Sequence, residues 1–328
     1  MKKITLKDIA NELGVTVGTV SHVLNGVNDI SIEMKNKVLE TAEKLGYVSN
    51  ASAVSLRTGK TNSLAIIIPD VSNPYFAQQI KILENRIRKY NYTLIILNTN
   101  EDEKIEFEAI KTAIGKQVDG ILFCPCQQST RNVEFLNSIG IPFVLFGRFF
   151  KDLDFDYICT DDVKGGYLAG KYLADRGYKN PIYIGSYRYI ETSINRFSGM
   201  IKAFSEAGVS LDESRFFEIG PRADFSNEVF DNLMARAGEF DSVVGFSDVI
   251  SFKIKSHFNG TEKKDIPVVG FDALSNQLFI PLSNVSVGVV GTAFADKMAD
   301  VILKKMNGSK ERFKEIIDVK LYEFDSFI

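Results

Sequence analysis

From Leu64 onward the chain repeats one texture: a short, β-branched, almost continuously apolar run, then an amphipathic stretch of helix length. The runs are LAIIIP, YTLIILN, VDGILFCP, IPFVLFG, YICT, PIYIG, SVVGF and IPVVGF. Runs this uniformly apolar are those of strands buried on both faces. The stretches between them, such as residues 74–90, 164–176 and 195–207, are long enough to cover such strands. Alternation of this kind gives parallel sheets with helices on both sides. Residues 61–328 are long for one sheet, so two lobes with a cleft between them are expected.

The residues before this region read differently, as three short helices. Thr5 with Asp8 resembles a capping box, Ile9, Ala10 and Leu13 form an apolar stripe, and Gly14 stops the helix. Thr16 can cap a second helix carrying Val17, Val20, Val23 and Leu24, with Thr19, Ser21, His22 and Asn25 as its polar side chains. Ser31 can cap a third, in which Val38, Ala42 and Leu45 share a face before Gly46. Helix, tight turn, helix and supporting helix is the helix-turn-helix layout, placed here at residues 1–48. Residues 49–60 hold too few aliphatics to fold alone and read as a linker, or as a hinge that turns helical when a partner stabilises it.

Charge agrees with that division. The chain carries a net −3, yet residues 1–60 hold eight Lys/Arg against six Asp/Glu. Any nucleic acid is therefore expected at the amino-terminal piece, with the acidic body discouraging wrong orientations. No run reaches the ~18 apolar residues of a membrane span, and MKKITLKDIANELG lacks the apolar segment of a signal peptide, so a cytoplasmic protein without membrane contact is expected. Cys124, Cys126 and Cys159 sit in or beside strand-like runs as buried thiols. With only His22 and His257 to join them, neither a structural metal nor a cofactor is expected.

In doubly wound sheets ligands lie beyond the carboxyl ends of the strands. Those ends deliver Asn73, Tyr75 and Phe76; Gly147, Arg148, Phe149 and Phe150; Asp161 and Asp162; Phe246, Ser247 and Asp248; and Asp272. Any one of these carboxylates could be a helix cap. Together with an arginine and aromatic rings, they suit a polyhydroxylated ligand, whose C–H faces stack on rings and whose hydroxyls pair with carboxylate and guanidinium groups. No nucleophile elbow and no glycine-rich phosphate loop follows a strand, so binding without turnover is expected, and not an enzyme.

TLKDIANELGVTVGTVSHVLNG, LRTGKTNSLAIIIPDVSNPYF, VVGFDA and LYEFDS resemble, colinearly along the chain, the landmarks of the LacI/GalR bacterial repressors. The resemblance implies an α plus α/β architecture: a helix-turn-helix headpiece, then two Rossmann-like parallel-sheet lobes of the periplasmic-binding-protein type. It places one lobe at about 61–159 and 288–318 and the other at about 160–287 and 319–328. It implies a homodimer on a pseudo-palindromic double-stranded operator. The second helix would enter the major groove with Val17, Gly18 and His22 at base edges and Thr16, Thr19, Ser21 and Asn25 near backbone or bases. Asn50, Ala53 and Leu56 would act from the hinge, Leu56 as a minor-groove wedge. In the cleft, Arg196 and Asp272 match the ligand-holding pair.

Several positions depart from the family pattern. His22 stands where arginine is usual and cannot make the bidentate guanine contact that contributes roughly 1–3 kcal/mol of discrimination. Gly18 removes a reading side chain, and Ser49 and Val54 replace the usual proline and arginine of the hinge. Gly147, Ser247 and Val287 replace aspartate, asparagine and glutamine in the cleft, while Phe149, Phe150, Tyr187, Tyr189 and Phe246 add rings. Fewer amides and more rings suggest a sugar effector, up to a di- or oligosaccharide, rather than a purine. The resulting expectation is a repressor of a sugar-utilisation operon. The alternatives are a global catabolite regulator with a phosphoprotein corepressor and a purine-type repressor. A transport or chemotaxis receptor would share the lobes but lack the headpiece.

Overall fold

The computed structural model describes residues 4–24, 30–47, 59–220, 226–278, 282 and 284–324. The chain divides into two units, residues 1–61 and 62–328. In the first, α1 (Leu6–Leu13), α2 (Val17–Leu24) and α3 (Ile32–Lys44) enclose a core of Ile9, Ala10, Val20, Val23, Val38 and Ala42. Each start has a polar cause. The Asp8 carboxylate accepts from Thr5 N at 2.8 Å, Thr16 Oγ1 accepts from Thr19 N at 3.1 Å, and Ser31 Oγ accepts from Met34 N at 3.4 Å. Gly14 closes α1 in the left-handed region, at φ 65°.

The second unit holds two six-stranded sheets. β1 (Ser63–Ile68), β2 (Thr93–Asn98), β3 (Gly120–Phe123), β4 (Phe143–Phe146), β5 (Tyr157–Thr160) and β11 (Lys314–Ile317) form the first, in the order β11-β5-β4-β3-β1-β2. β6 (Pro181–Gly185), β7 (Phe216–Glu218), β8 (Ser242–Gly245), β9 (Val268–Phe271), β10 (Val285–Gly288) and β12 (Lys320–Glu323) form the second, in the order β12-β10-β9-β8-β6-β7. All pairs are parallel except β10 with β12.

Three helices follow strands of the first lobe: α4 (Pro74–Arg88), α5 (Glu103–Gly115) and α6 (Arg131–Ile139). Next come α7 (Asp162–Ala174), α8 (Glu191–Glu206), α9 (Asn227–Met234), α10 (Asp248–Phe258) and α11 (Leu274–Leu278). The last, α12 (Ala293–Met306), returns to the first sheet.

Strand periodicity explains why the runs are so apolar. On β1, Leu64, Ile66 and Ile68 enter one core while Ala65 and Ile67 enter the core on the opposite face. β2 departs from the expectation of burial on both faces. It is the edge of its sheet, pairs only with β1, and leaves Ile96 44% exposed.

Helix α8 begins at Glu191, four residues before the expected Asn195. It packs against α7 with backbone nearly touching backbone. A Cβ on Gly166 would lie 1.8 Å from the Arg196 carbonyl oxygen, and one on Gly199 would lie 2.0 Å from that of Val163. This contact fixes Arg196 of α8 beside Asp162 of α7. Among the described residues no helix is long and apolar enough to cross a membrane.

Candidate functional site

A solvent-open cleft enclosing about 80 Å³ is lined from both lobes by the loops that leave β1, β4, β5, β8 and β9. Asn73 caps α4 through Tyr75 N at 3.0 Å, with Pro74 in the first helical position, which sets Tyr75 and Phe76 at the rim. Gly147 turns the chain at φ 69° after β4 and delivers Arg148. Phe246 and Ser247 follow β8, and Asp272 follows β9.

Both arginines of the cleft are neutralised by carboxylates. Arg148 grips Glu101 at both oxygens, at 2.8 and 2.6 Å, and donates to the Pro125 carbonyl at 3.0 Å. Burial disfavours the guanidinium charge, but Glu101 outweighs it and raises the Arg148 pKa. Arg196 donates from Nε to Asp162 Oδ1 at 2.8 Å and from Nη1 to the Phe246 carbonyl at 2.6 Å. Its guanidinium carbon lies 4.3 Å from the Phe271 ring centre. Burial raises the Asp162 pKa, opposed by Arg196.

Asp272 is different. It sits at φ 96°, with Ala273 at 52°, in a turn that only surrounding contacts can hold. Those contacts are Asp272 N to the Val287 carbonyl at 2.8 Å, Ala273 N to Ser286 Oγ at 2.9 Å, and Leu274 N to Asp248 Oδ2 at 2.7 Å. The Asp272 side chain lines the cleft, and its carboxylate makes no protein hydrogen bond among the described residues. Burial pushes its pKa up to about 6 against the pull of Arg196.

Of the residues expected at the effector site, Asn73, Tyr75, Phe76, Arg148, Arg196, Phe246 and Asp272 line the cleft. Three do not. Asp248 is fully buried behind the rim, where it holds the Asp272 turn from below. Asp161 caps α7 by accepting from Lys164 N at 2.9 Å and borders a smaller chamber. Phe149 turns into the first lobe and stacks on Tyr157 with ring centres 4.1 Å apart. Of the five rings expected to enrich the cleft, Phe246 alone lines it; Phe150 packs into the first-lobe core, and Tyr187 pairs with Tyr189.

Glu101, Thr160 and Thr192 line the cleft without having been expected there. Glu101 follows β2, a strand end whose acidic run reads as the cap of the next helix. The three cysteines are free and buried; Cys124 borders the cleft, and burial pushes its thiol up to about 12.

Hydrogen bonds also tie the lobes together beside the cleft. Gln127 accepts from Glu191 N at 3.1 Å and donates to the Phe149 carbonyl at 2.8 Å. Thr192 Oγ1 donates to the Gly147 carbonyl at 3.1 Å.

The expected DNA-facing residues lie on one side of α2. Thr16, Val17, Gly18 and His22 are exposed and Thr19 and Ser21 half-buried, while Val20 and Val23 are buried and Leu24 packs against the core. Asn25, Asn50, Ala53 and Leu56 lie outside the described residues.

Residues 5–50 match the bacterial regulatory proteins of the lacI family, and residues 61–323 match the periplasmic binding proteins and sugar binding domain of the LacI family. The chain is 31% identical to the transcriptional repressor PurR of Mannheimia succiniciproducens over 84% of each chain. It is 29% identical to the ribose operon repressor of Haemophilus influenzae over 95% of each. It shares the fold of the lac repressor dimer bound to operator and the anti-inducer ONPF, with a TM-score of 0.83, 16% identity and 98% of each chain covered. Headpiece, lobes and both matched regions follow one another in the same order, and the chain belongs to the LacI family of DNA-binding transcriptional regulators with an effector-binding domain.

Proposed function

We propose that this chain is a repressor, acting in the cytoplasm as a homodimer on a pseudo-palindromic operator, whose DNA affinity is switched by an uncharged sugar held between the lobes. The charge balance of the cleft carries this reading. Arg148 and Arg196 are each spent on a buried carboxylate, whereas Asp272 keeps its oxygens for a ligand. An anionic effector would meet paired cations and an unpaired carboxylate. A sugar brings hydroxyl donors, which a carboxylate accepts in charge-assisted pairs.

A purine needs amide groups to read its edges. Among the described residues Asn73 is the sole amide lining this cleft, and its carbonyl is occupied by Tyr75 N. The relatives named repressor PurR and ribose operon repressor resemble the chain about equally, so the site and not the resemblance favours the sugar.

Thermal unfolding of the full chain against neutral sugars, their phosphates and purine bases tests this. Ligand at 100 times its dissociation constant stabilises by ~2.7 kcal/mol, enough to raise Tm by several degrees. A neutral sugar should produce that shift and release operator DNA in a gel-shift titration. A shift with phosphates or purines alone would overturn the reading.

The exposed face of α2 is proposed as the base-reading surface. His22→Ala should weaken binding to an operator selected from random duplexes by about 2- to 13-fold, the ~0.5–1.5 kcal/mol of a single hydrogen bond. The effector-induced Tm shift should be unchanged. Equal operator affinity of the variant would place the reading residues elsewhere.

A further inference from the structure

Beyond Arg196 and Asp272 the cleft opens into a smaller chamber of about 20 Å³, room for one small polar group. The two spaces share Tyr75, Thr160, Arg196 and Asp272, so a ligand held by that pair can extend an arm inward. Its wall joins the hydrocarbon of Phe271, Val287, Phe294 and Val319 to the polar groups of Thr160, Asp161 and Asp162. Into this wall α4 brings an amide. Phe76, Gln79, Leu83 and Ile87 are the buried stripe of that helix, spaced three or four residues apart, and Gln79 is its polar member.

Gln79 is 2% exposed, and its Oε1 has no hydrogen-bond partner among the described residues. An apolar side chain would fill that place in the stripe without penalty. A buried amide oxygen left unpaired is unfavourable, and a donor that enters the chamber removes the penalty. The donor must arrive on a small, mainly hydrocarbon arm to suit the wall.

We infer that Gln79 is a specificity-determining residue: it reads the terminal hydroxyl of a hydroxymethyl arm, which donates to Oε1 while the ring stays at Arg196 and Asp272. The inference rests on the sugar reading above. It selects hexoses over pentopyranoses, which lack the arm, and over 6-deoxyhexoses, which carry the arm without its hydroxyl. A site built to bond a hydroxyl discriminates against the analogue lacking it because the protein group is then left unpaired.

Calorimetry on the full chain tests this with three matched sets, offered as free sugars and as methyl glycosides. They are D-glucose, 6-deoxy-D-glucose and D-xylose; D-galactose, 6-deoxy-D-galactose and L-arabinose; D-mannose, 6-deoxy-D-mannose and D-lyxose. In the set that binds, the hexose should bind at least about 10-fold more tightly than either analogue, a difference of ~1.4 kcal/mol. Gln79→Leu should bring the 6-deoxy sugar to within about twofold of the hexose, and Gln79→Met provides the same comparison should the leucine variant not fold.

Equal binding of hexose and 6-deoxyhexose by the unaltered protein overturns the inference, because the amide is then satisfied by water alone. So does a gap that survives Gln79→Leu. Binding of no member of any set overturns this inference, while the sugar reading itself falls only if the thermal-unfolding screen also finds no neutral sugar.

Discussion

Replacing Gly199 by alanine should lower the thermal midpoint of the effector-binding unit by roughly 6–12 °C and abolish effector binding. The added Cβ would lie 2.0 Å from the Val163 carbonyl oxygen and 2.6 Å from Tyr167 N, both backbone atoms that no rotamer change can move. Overpacking of a core usually costs 1–3 kcal/mol, and contact between two backbones belongs at or above the top of that range. For a unit of this size each kcal/mol corresponds to about 2–4 °C. Relief requires α7 and α8 to separate, which would also part Arg196 from Asp162 and remove the ligand's anchor. Gly115→Ala is the matched control, since nothing lies within 4 Å of its added Cβ, and it should be neutral or slightly stabilising. Scanning calorimetry of both variants decides. A Gly199→Ala midpoint within about 2 °C of the unaltered protein would show that the helices do not approach this closely in solution.

That contact also marks the boundary of what the sequence discloses. The strand runs and the helix starts are written locally, because burial on two faces demands unbroken apolar residues and a cap needs one hydroxyl or carboxylate. Of the strands anticipated in this way, β1 to β6, β8 and β9 occur where their runs stand. β7, β11 and β12 are edge strands, whose partial burial leaves a mixed pattern, and β10 is buried throughout but has Ser286 and Gly288 breaking its apolar run. Gly166 and Gly170 look like helix-weakening residues until the partner helix is in view, and then they are the condition for its approach.

The site divides in the same way. Strand-end position brought Asn73, Arg148 and Asp272 to notice, but could not separate a ligand-facing carboxylate from a structural one. Asp161 and Asp248 look identical to Asp272 in sequence, and only the hydrogen bonds that Asp161 accepts from Lys164 N and Asp248 from Leu274 N show that they hold backbone. Pairing is equally invisible. Arg196 could be taken for a residue whose removal affects the effector alone, yet its loss would leave Asp162 buried and uncompensated, a change that typically costs 3–5 kcal/mol. Gln79 was hidden for the opposite reason, since an amide within an apolar stripe reads as a tolerated exception.

Asp272→Asn should make the ligand-free protein more stable at neutral pH and deaf to its effector. The folded state raises the Asp272 pKa from 3.8 to about 6, so folding opposes its ionisation. Between those two values the folded chain holds more protons than the unfolded one, and stability falls as pH rises. Above about pH 6 the penalty is complete; below about pH 4 it is absent. Asparagine removes it, which at pH 7.5 should stabilise by about 1–2 kcal/mol, allowing for the partial access of solvent to the cleft. At pH 3.5 the two proteins should unfold alike. The same charge is what the ligand uses. Charge-assisted hydrogen bonds contribute about 1.5–3 kcal/mol each, so a sugar that pairs two hydroxyls with Asp272 should lose at least about 100-fold in affinity. Effector affinity of the unaltered protein should also weaken as pH drops through about 6. Operator binding by Asp272→Asn should persist with no release by sugar, because a ligand can shift the lobes only as far as it binds their two arrangements unequally. Thermal unfolding at pH 7.5 and 3.5, read beside a gel-shift titration, tests both halves. A variant less stable than the original at pH 7.5 would mean that Arg196 stabilises the carboxylate more than burial opposes it. A variant that still releases its operator would place the ligand away from Asp272.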